Sequence, residues 1–171
     1  GYRAKTLEDA KKFCKENNVN LTIISFKEEF GYSLDQLVKK LKLKPCTICG
    51  VLRRYLLNKY SLKLNANKLA TGHNLDDEVQ SILMNQFKNN IEISARLGPI
   101  TGIVEEEKFV RRIKPLYLLT EKEVATYSFL KKFPNTFIEC PNAEDSYRGD
   151  VRDFINDFEK KYPGTKHSII Q

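Results

Sequence analysis

The chain has 171 residues, of which 41% are hydrophobic, and a formal net charge of +7. This length and apolar content suit one folded domain, 1–171, and exclude a disordered tail or a disulfide-stapled miniprotein. No apolar run reaches the roughly 18 residues of a membrane span, and Gly1-Tyr2-Arg3-Ala4-Lys5 lacks a signal peptide's apolar core, so a cytoplasmic protein without membrane contacts is expected. The charge leans toward an anionic partner such as nucleic acid, although a lysine-rich solvated surface has the same composition.

In chain order, Thr6 to Asn17 has amphipathic helical spacing, with Thr6 as a cap and Asp9 three residues on. Cys14 falls inside it and reads as a small apolar residue. Val19 to Phe26 is apolar and β-branched, which predicts a strand. Ser33 caps a helix to Leu41. Pro45 breaks the chain before Cys46-Thr47-Ile48-Cys49-Gly50, and helical spacing resumes from Gly50 to Tyr60. Lys68 to Thr71 predicts a short strand that ends at Gly72-His73. Leu75 to Phe87 predicts a helix whose first turn is acidic, which suits the helix dipole. Ile113 to Leu116 predicts another strand. Thr120, with Glu123 three residues on, caps a helix to Lys132. Thr136 to Glu139 reads as extended and ends at Cys140-Pro141. Gly149 to Lys160 predicts a last helix, stopped by Pro163-Gly164. Alternating helices and strands argue for an α/β sheet with mainly parallel strands. Ligands then gather beyond the strands' carboxyl ends, where Gly72-His73 and Cys140 fall.

Three constellations carry candidate chemistry. Cys46-x-x-Cys49 has the spacing of a metal-ligand pair and equally that of a redox pair, and spacing alone leaves both open. Gly72-His73-Asn74-Leu75-Asp76-Asp77-Glu78 combines a glycine that admits close backbone approach with two adjacent carboxylates. Such carboxylates suit a magnesium ion or a hydroxyl, but a plain Asn-Asp helix cap uses the same residues. Arg53, Arg54, Arg111, Arg112 and Lys114 form a basic set suited to phosphate. Arg53 lies one helical turn beyond Cys49 and is expected to face the same site. Solvated surface charge is the simpler reading of Arg111 and Arg112.

Taken in order, PCTICGVLRRYLLN, LATGHNLDDEVQ, RIKPLYLLTEKEV, ECPN and YPGTK resemble the tRNA 2-thiolation enzymes of the PP-loop ATPase superfamily, in the branch of archaea, eukaryotes and some bacteria. The resemblance covers nearly the whole chain. It implies a Rossmann-like PP-loop ATPase (adenine nucleotide alpha hydrolase-like) fold. It also implies use of ATP and Mg2+ to adenylate the 2-oxygen of a tRNA uridine, followed by sulfur transfer with release of AMP. Carried over residue by residue, Cys46, Cys49 and Cys140 would ligate a [4Fe-4S] cluster. Three thiolates leave one iron open for a hydrosulfide. Arg53 would be the catalytic cation and Asp77 the catalytic acid residue, with Gly72 and His73 near the ATP. Family partners are tRNA, a sulfur donor (a thiocarboxylated ubiquitin-like carrier or sulfide) and a second subunit of a homodimer.

The superfamily's S-G-G-x-D-S phosphate loop and the zinc-ribbon cysteines are absent from this sequence. The expectation is therefore a partial catalytic domain, inactive alone. Two alternatives stand beside the cluster enzyme: a cluster-free thiolase that carries sulfur as a persulfide resolved by a disulfide, and a non-catalytic tRNA- or metal-binding fragment. A different PP-loop enzyme is a third, although Cys140 argues against one that needs no thiols.

Overall fold

The computed structural model describes residues 2–102, 108–134, 140 and 147–171. Among them are nine helices and three strands, in the order α1 (Tyr2–Glu16), α2 (Phe26–Phe30), α3 (Leu34–Leu41), α4 (Pro45–Lys63), β1 (Lys68–Ala70), α5 (Leu75–Phe87), α6 (Ile91–Ser94), β2 (Ile100–Thr101), β3 (Arg111–Ile113), α7 (Glu121–Leu130), α8 (Tyr147–Lys161) and α9 (Thr165–Ile170). Contacts divide the chain into two compact units. One comprises Gly1–Tyr60 with Ser128–Asn142, and the other Ser61–Tyr127 with Ala143–Gln171.

In the first unit, helix ends follow local side-chain chemistry. Ser33 accepts from the Gln36 N–H, and the Gln36 side chain accepts from the Ser33 N–H, which closes a capping box on α3. Gly31, at φ 75°, ends α2 in the left-handed conformation that glycine adopts without strain. Pro45 occupies the first helical position of α4, where its missing N–H has no intrahelical partner to lose. It therefore opens this helix instead of breaking the chain, and places Cys46 and Cys49 in the first turns. Ile48 and Leu56 are the buried side of α4, and the rings of Phe30 and Tyr55 meet at 6.0 Å. Glu29 accepts from both Lys59 and Tyr60. Those hydrogen bonds are the main cause raising the pKa of the lysine and of the phenol above their ordinary values.

The predicted strand at Val19 to Phe26 is not formed. Residues 19–25 are irregular and Phe26 opens α2. A strand exists only through a neighbour that completes its ladder, and no described segment pairs with this one. Val19, Leu21 and Ile23 stay 52%, 41% and 49% exposed, so their alternation buries no face.

The second unit holds a three-stranded sheet in the order β1-β3-β2. β1 runs parallel to β3, with Lys68 opposite Arg111 and Ala70 opposite Ile113, while β2 is antiparallel to β3. Among the described residues the sheet thus has one parallel and one antiparallel pairing, with helices around it, as an α/β fold requires. The third predicted strand lies earlier than expected, at Arg111–Ile113, and β2 was not anticipated. The predicted segment Thr136 to Glu139 lies outside the described residues. α5 packs on α8 and α9 through Leu75, Val79 and Ile155, each at most 1% exposed, with Leu83, Ile169 and Ile170 around them. Burying side chains of this size contributes about 1.5–3 kcal/mol each.

Candidate functional site

The cysteine pair belongs to one stripe of α4. Cys46, Cys49 and Arg53 stand at i, i+3 and i+7, so the helical repeat puts them on one side. Arg53 donates from Nη2 to the Cys49 sulfur at 3.1 Å. Arg54 instead turns back to donate to the Gly50 carbonyl at 3.0 Å. Cys46 is exposed and Cys49 and Cys140 are half-buried, with no disulfide among them. All three belong to the same compact unit. The first turn of α4 carries the positive end of the helix dipole, and Arg53 adds a full positive charge. Both favour anionic sulfur or an anionic group bound to it. Three free thiols in one compact unit, one of them in contact with a cation, are a donor set whose chemistry fits an iron–sulfur cluster. Among the described residues no three or more His, Cys, Asp or Glu side chains stand together as ligands of a single metal ion. A four-iron cluster interposes several atoms between one thiolate and the next, and so bridges a wider gap than one ion does.

The second group is the turn from β1 into α5. Asn74 accepts from the Asp77 N–H at 3.0 Å and Asp77 Oδ2 accepts from the Asn74 N–H at 3.2 Å. The cap reading of Asn-Asp is thus realised. Asp77 Oδ1 also accepts from Arg148 Nη1 at 3.1 Å, while Arg148 Nη2 donates to Ser81 Oγ at 3.0 Å. The Asp77 side chain is still 32% exposed. Its neighbours face elsewhere. Asp76 is buried, accepting from Lys166 and from the Glu121 N–H. Glu78 is buried and accepts from Lys114 Nζ at 2.7 Å. Three successive carboxylates therefore take three different cations, and Asp76 and Asp77 do not form a joint magnesium seat.

His73 is exposed and pairs through Nδ1 with Thr71 Oγ1 at 2.9 Å. A Cβ added at Gly72 would meet nothing within 4 Å, and Gly72 is not in the left-handed region. Nothing among the described residues requires glycine there, and the open space beside it admits close approach by a ligand. Arg53 and the cysteines belong to one compact unit and Gly72, His73 and Asp77 to the other.

Sequence reasoning missed Arg148 and Lys166 as holders of this turn. The YPGTK segment that contains Lys166 was noticed as a motif, but nothing local announces its partner 90 residues away. Lys114 also changes meaning. Read as part of a phosphate-binding set, it is 10% exposed and neutralises Glu78. Lys114→Met is expected to cost about 3–5 kcal/mol of stability by leaving Glu78 buried and uncompensated. It should leave the salt dependence of RNA binding unchanged, since that slope counts phosphate contacts. Urea unfolding and binding titrations at several salt concentrations check both.

No family model matches the chain. It is similar to the "Probable sulfurtransferase" of Methanocaldococcus jannaschii, 44% identical over all of this chain and 51% of that protein. It is also similar to the tRNA-5-methyluridine(54) 2-sulfurtransferase of Pyrococcus horikoshii, 37% identical over all of this chain and 54% of that one. Among solved structures it matches the U34-tRNA thiolase NcsA from Methanococcus maripaludis with its [4Fe-4S] cluster. The TM-score there is 0.87 at 38% identity, covering 99% of this chain and 56% of that one. The chain spans about half the length of the curated relatives it matches.

Proposed function

We infer that this chain, which belongs to the tRNA 2-thiolation proteins with which it aligns from end to end, contributes the sulfur-binding residues of an ATP-dependent tRNA uridine 2-sulfurtransferase. The observation that carries the reading is the α4 stripe, in which Arg53 reaches the Cys49 sulfur at 3.1 Å beside Cys46.

In this reading the uridine 2-oxygen bonds to the α-phosphorus of ATP, with Mg2+ on the phosphates, and pyrophosphate leaves. Hydrosulfide then adds to C2, the C2–O bond breaks and AMP departs. Cys46, Cys49 and Cys140 would hold a [4Fe-4S] cluster, which when bound would supply an open iron for the hydrosulfide. Arg53 is permanently charged, so it stabilises developing negative charge and is no base. Gly72 lets the nucleotide approach the backbone, and His73 presents an exposed ring beside it. Asp77, fixed by Asn74 and Arg148, has a half-buried carboxylate whose remaining lone pairs would accept from a hydroxyl or from magnesium-bound water. The partners are tRNA, a sulfur carrier or free sulfide, and a second copy of the longer protein in a cytoplasmic homodimer. Both compact units serve this one catalytic domain.

In a second reading one of Cys46 and Cys49 takes a sulfane sulfur from a persulfide donor, which leaves as a thiol; that sulfur attacks the adenylated C2, the other cysteine then displaces it as the thiocarbonyl sulfur, and an external thiol reduces the resulting disulfide, a cycle favoured by their i, i+3 placement, which needs no third thiol. Iron and sulfide analysis of anaerobically prepared protein, together with 2-thiouridine formation in tRNA, separates the two. The cluster reading expects about four irons per chain, lost in Cys140→Ser. Full thiolation by iron-free protein would exclude it.

A further inference from the structure

The second unit contains a cavity of about 400 Å3. That is within the range of small-molecule sites. It is lined by Ile82 of α5, Leu97, Ile170 of α9 and the polar residues Asn85, Gln86, Ser94 and Tyr117. The Ser94 hydroxyl is buried and has no hydrogen-bond partner among the described residues. Buried polar groups are normally satisfied, and an orphan marks a missing partner or a defect. Burial pushes the Tyr117 phenol above its ordinary range, with nearby Glu78 adding to the shift, so it stays an O–H donor at neutral pH.

The lining has no charged group. Two amides and two hydroxyls donate and accept, and the branched aliphatic side chains suit flat faces. That chemistry matches a neutral heteroaromatic ring with a donor–acceptor edge. Lys88 and Arg96, next but one to Gln86 and next to Leu97 in the chain, add positive charge close in sequence to the lining residues. We propose that this cavity binds an unstacked nucleobase of RNA, read by Asn85, Gln86, Ser94 and Tyr117, while its phosphates remain outside. RNA is commonly recognised through such splayed bases. Ile82, Asn85 and Gln86 lie five to nine residues beyond Asp77, which is roughly 8–14 Å along the helix. The base held here is thus a second one, not the uridine undergoing reaction. The inference rests on the tRNA reading above and adds a specificity site to it.

The test is fluorescence-anisotropy titration of the protein with a labelled seven-nucleotide uridine RNA and with an abasic RNA of equal length and charge. Wild type should prefer the base-bearing strand. Ser94→Ala and Asn85→Leu should each weaken that strand's binding by about three- to tenfold, the scale of one lost hydrogen bond, and leave the abasic strand unaffected. Ser94→Ala should unfold at the same temperature or higher, since it removes an unsatisfied hydroxyl. Equal binding of the two strands, or variants that bind like wild type, would overturn the proposal, as would displacement of the RNA by ATP. Failure of the thiolation reading would show separately, as absence of 2-thiouridine formation by wild type whatever its RNA affinity.

Discussion

Lys166→Met is expected to lower the stability of the chain by about 3–5 kcal/mol, the range for breaking a buried ion pair by removing one partner. Folded domains hold only about 5–15 kcal/mol in total, so this is a large fraction. Lys166 and Asp76 have side chains 10% and 5% exposed. The ammonium also donates to Asn156 Oδ1 at 2.7 Å, and the Lys166 N–H donates to Glu159 Oε2 at 2.8 Å. Without the lysine charge, the Asp76 carboxylate keeps the Glu121 N–H at 2.7 Å and no cation among the partners described. Asp76→Leu combined with Lys166→Met should be less destabilised than the sum of the single changes, because neither charge is then left unpaired. Urea unfolding of the four proteins measures this coupling. A cost below about 1 kcal/mol for Lys166→Met would mean that water reaches the pair.

Arg53→Met should reduce the rate of 2-thiouridine formation by about 100-fold or more, the scale for loss of one preorganised electrostatic donor. Methionine keeps much of the aliphatic stem and removes the charge. Arg53 is on the exposed side of α4, so stability should change by no more than about 0.5 kcal/mol. Arg53→Lys keeps the charge but not the planar fork and should fall between the two. Single-turnover assays at matched iron content measure the effect. Equal iron with a slow rate assigns Arg53 to the reaction, whereas loss of iron assigns it to holding the cysteines. A wild-type rate in Arg53→Met would remove it from the site.

Features whose hydrogen bonds close within three or four residues were legible from the sequence. The caps at Ser33 and Thr120 formed as read, and α5 runs from Leu75 to Phe87 as expected. The helical repeat likewise brought Arg53 to Cys49. Strands were less legible. The apolar run at Val19 to Phe26 has strand composition, but composition supplies no partner, whereas the much shorter Arg111–Ile113 becomes a strand because β1 and β2 flank it.

The sequence by itself determined the caps at Ser33, Asn74 and Thr120 and the helical turn that sets Arg53 beside Cys49, because these depend on neighbours along the chain, but not the starts of α1 and α4, which lie at Tyr2 and Pro45 and not at Thr6 and Gly50. Only the tertiary structure decided which cation each of Asp76, Asp77 and Glu78 would take. Lys166, Arg148 and Lys114 lie 90, 71 and 36 residues beyond them. An ion pair needs atoms in contact, and contact over such separations exists only after the chain has folded.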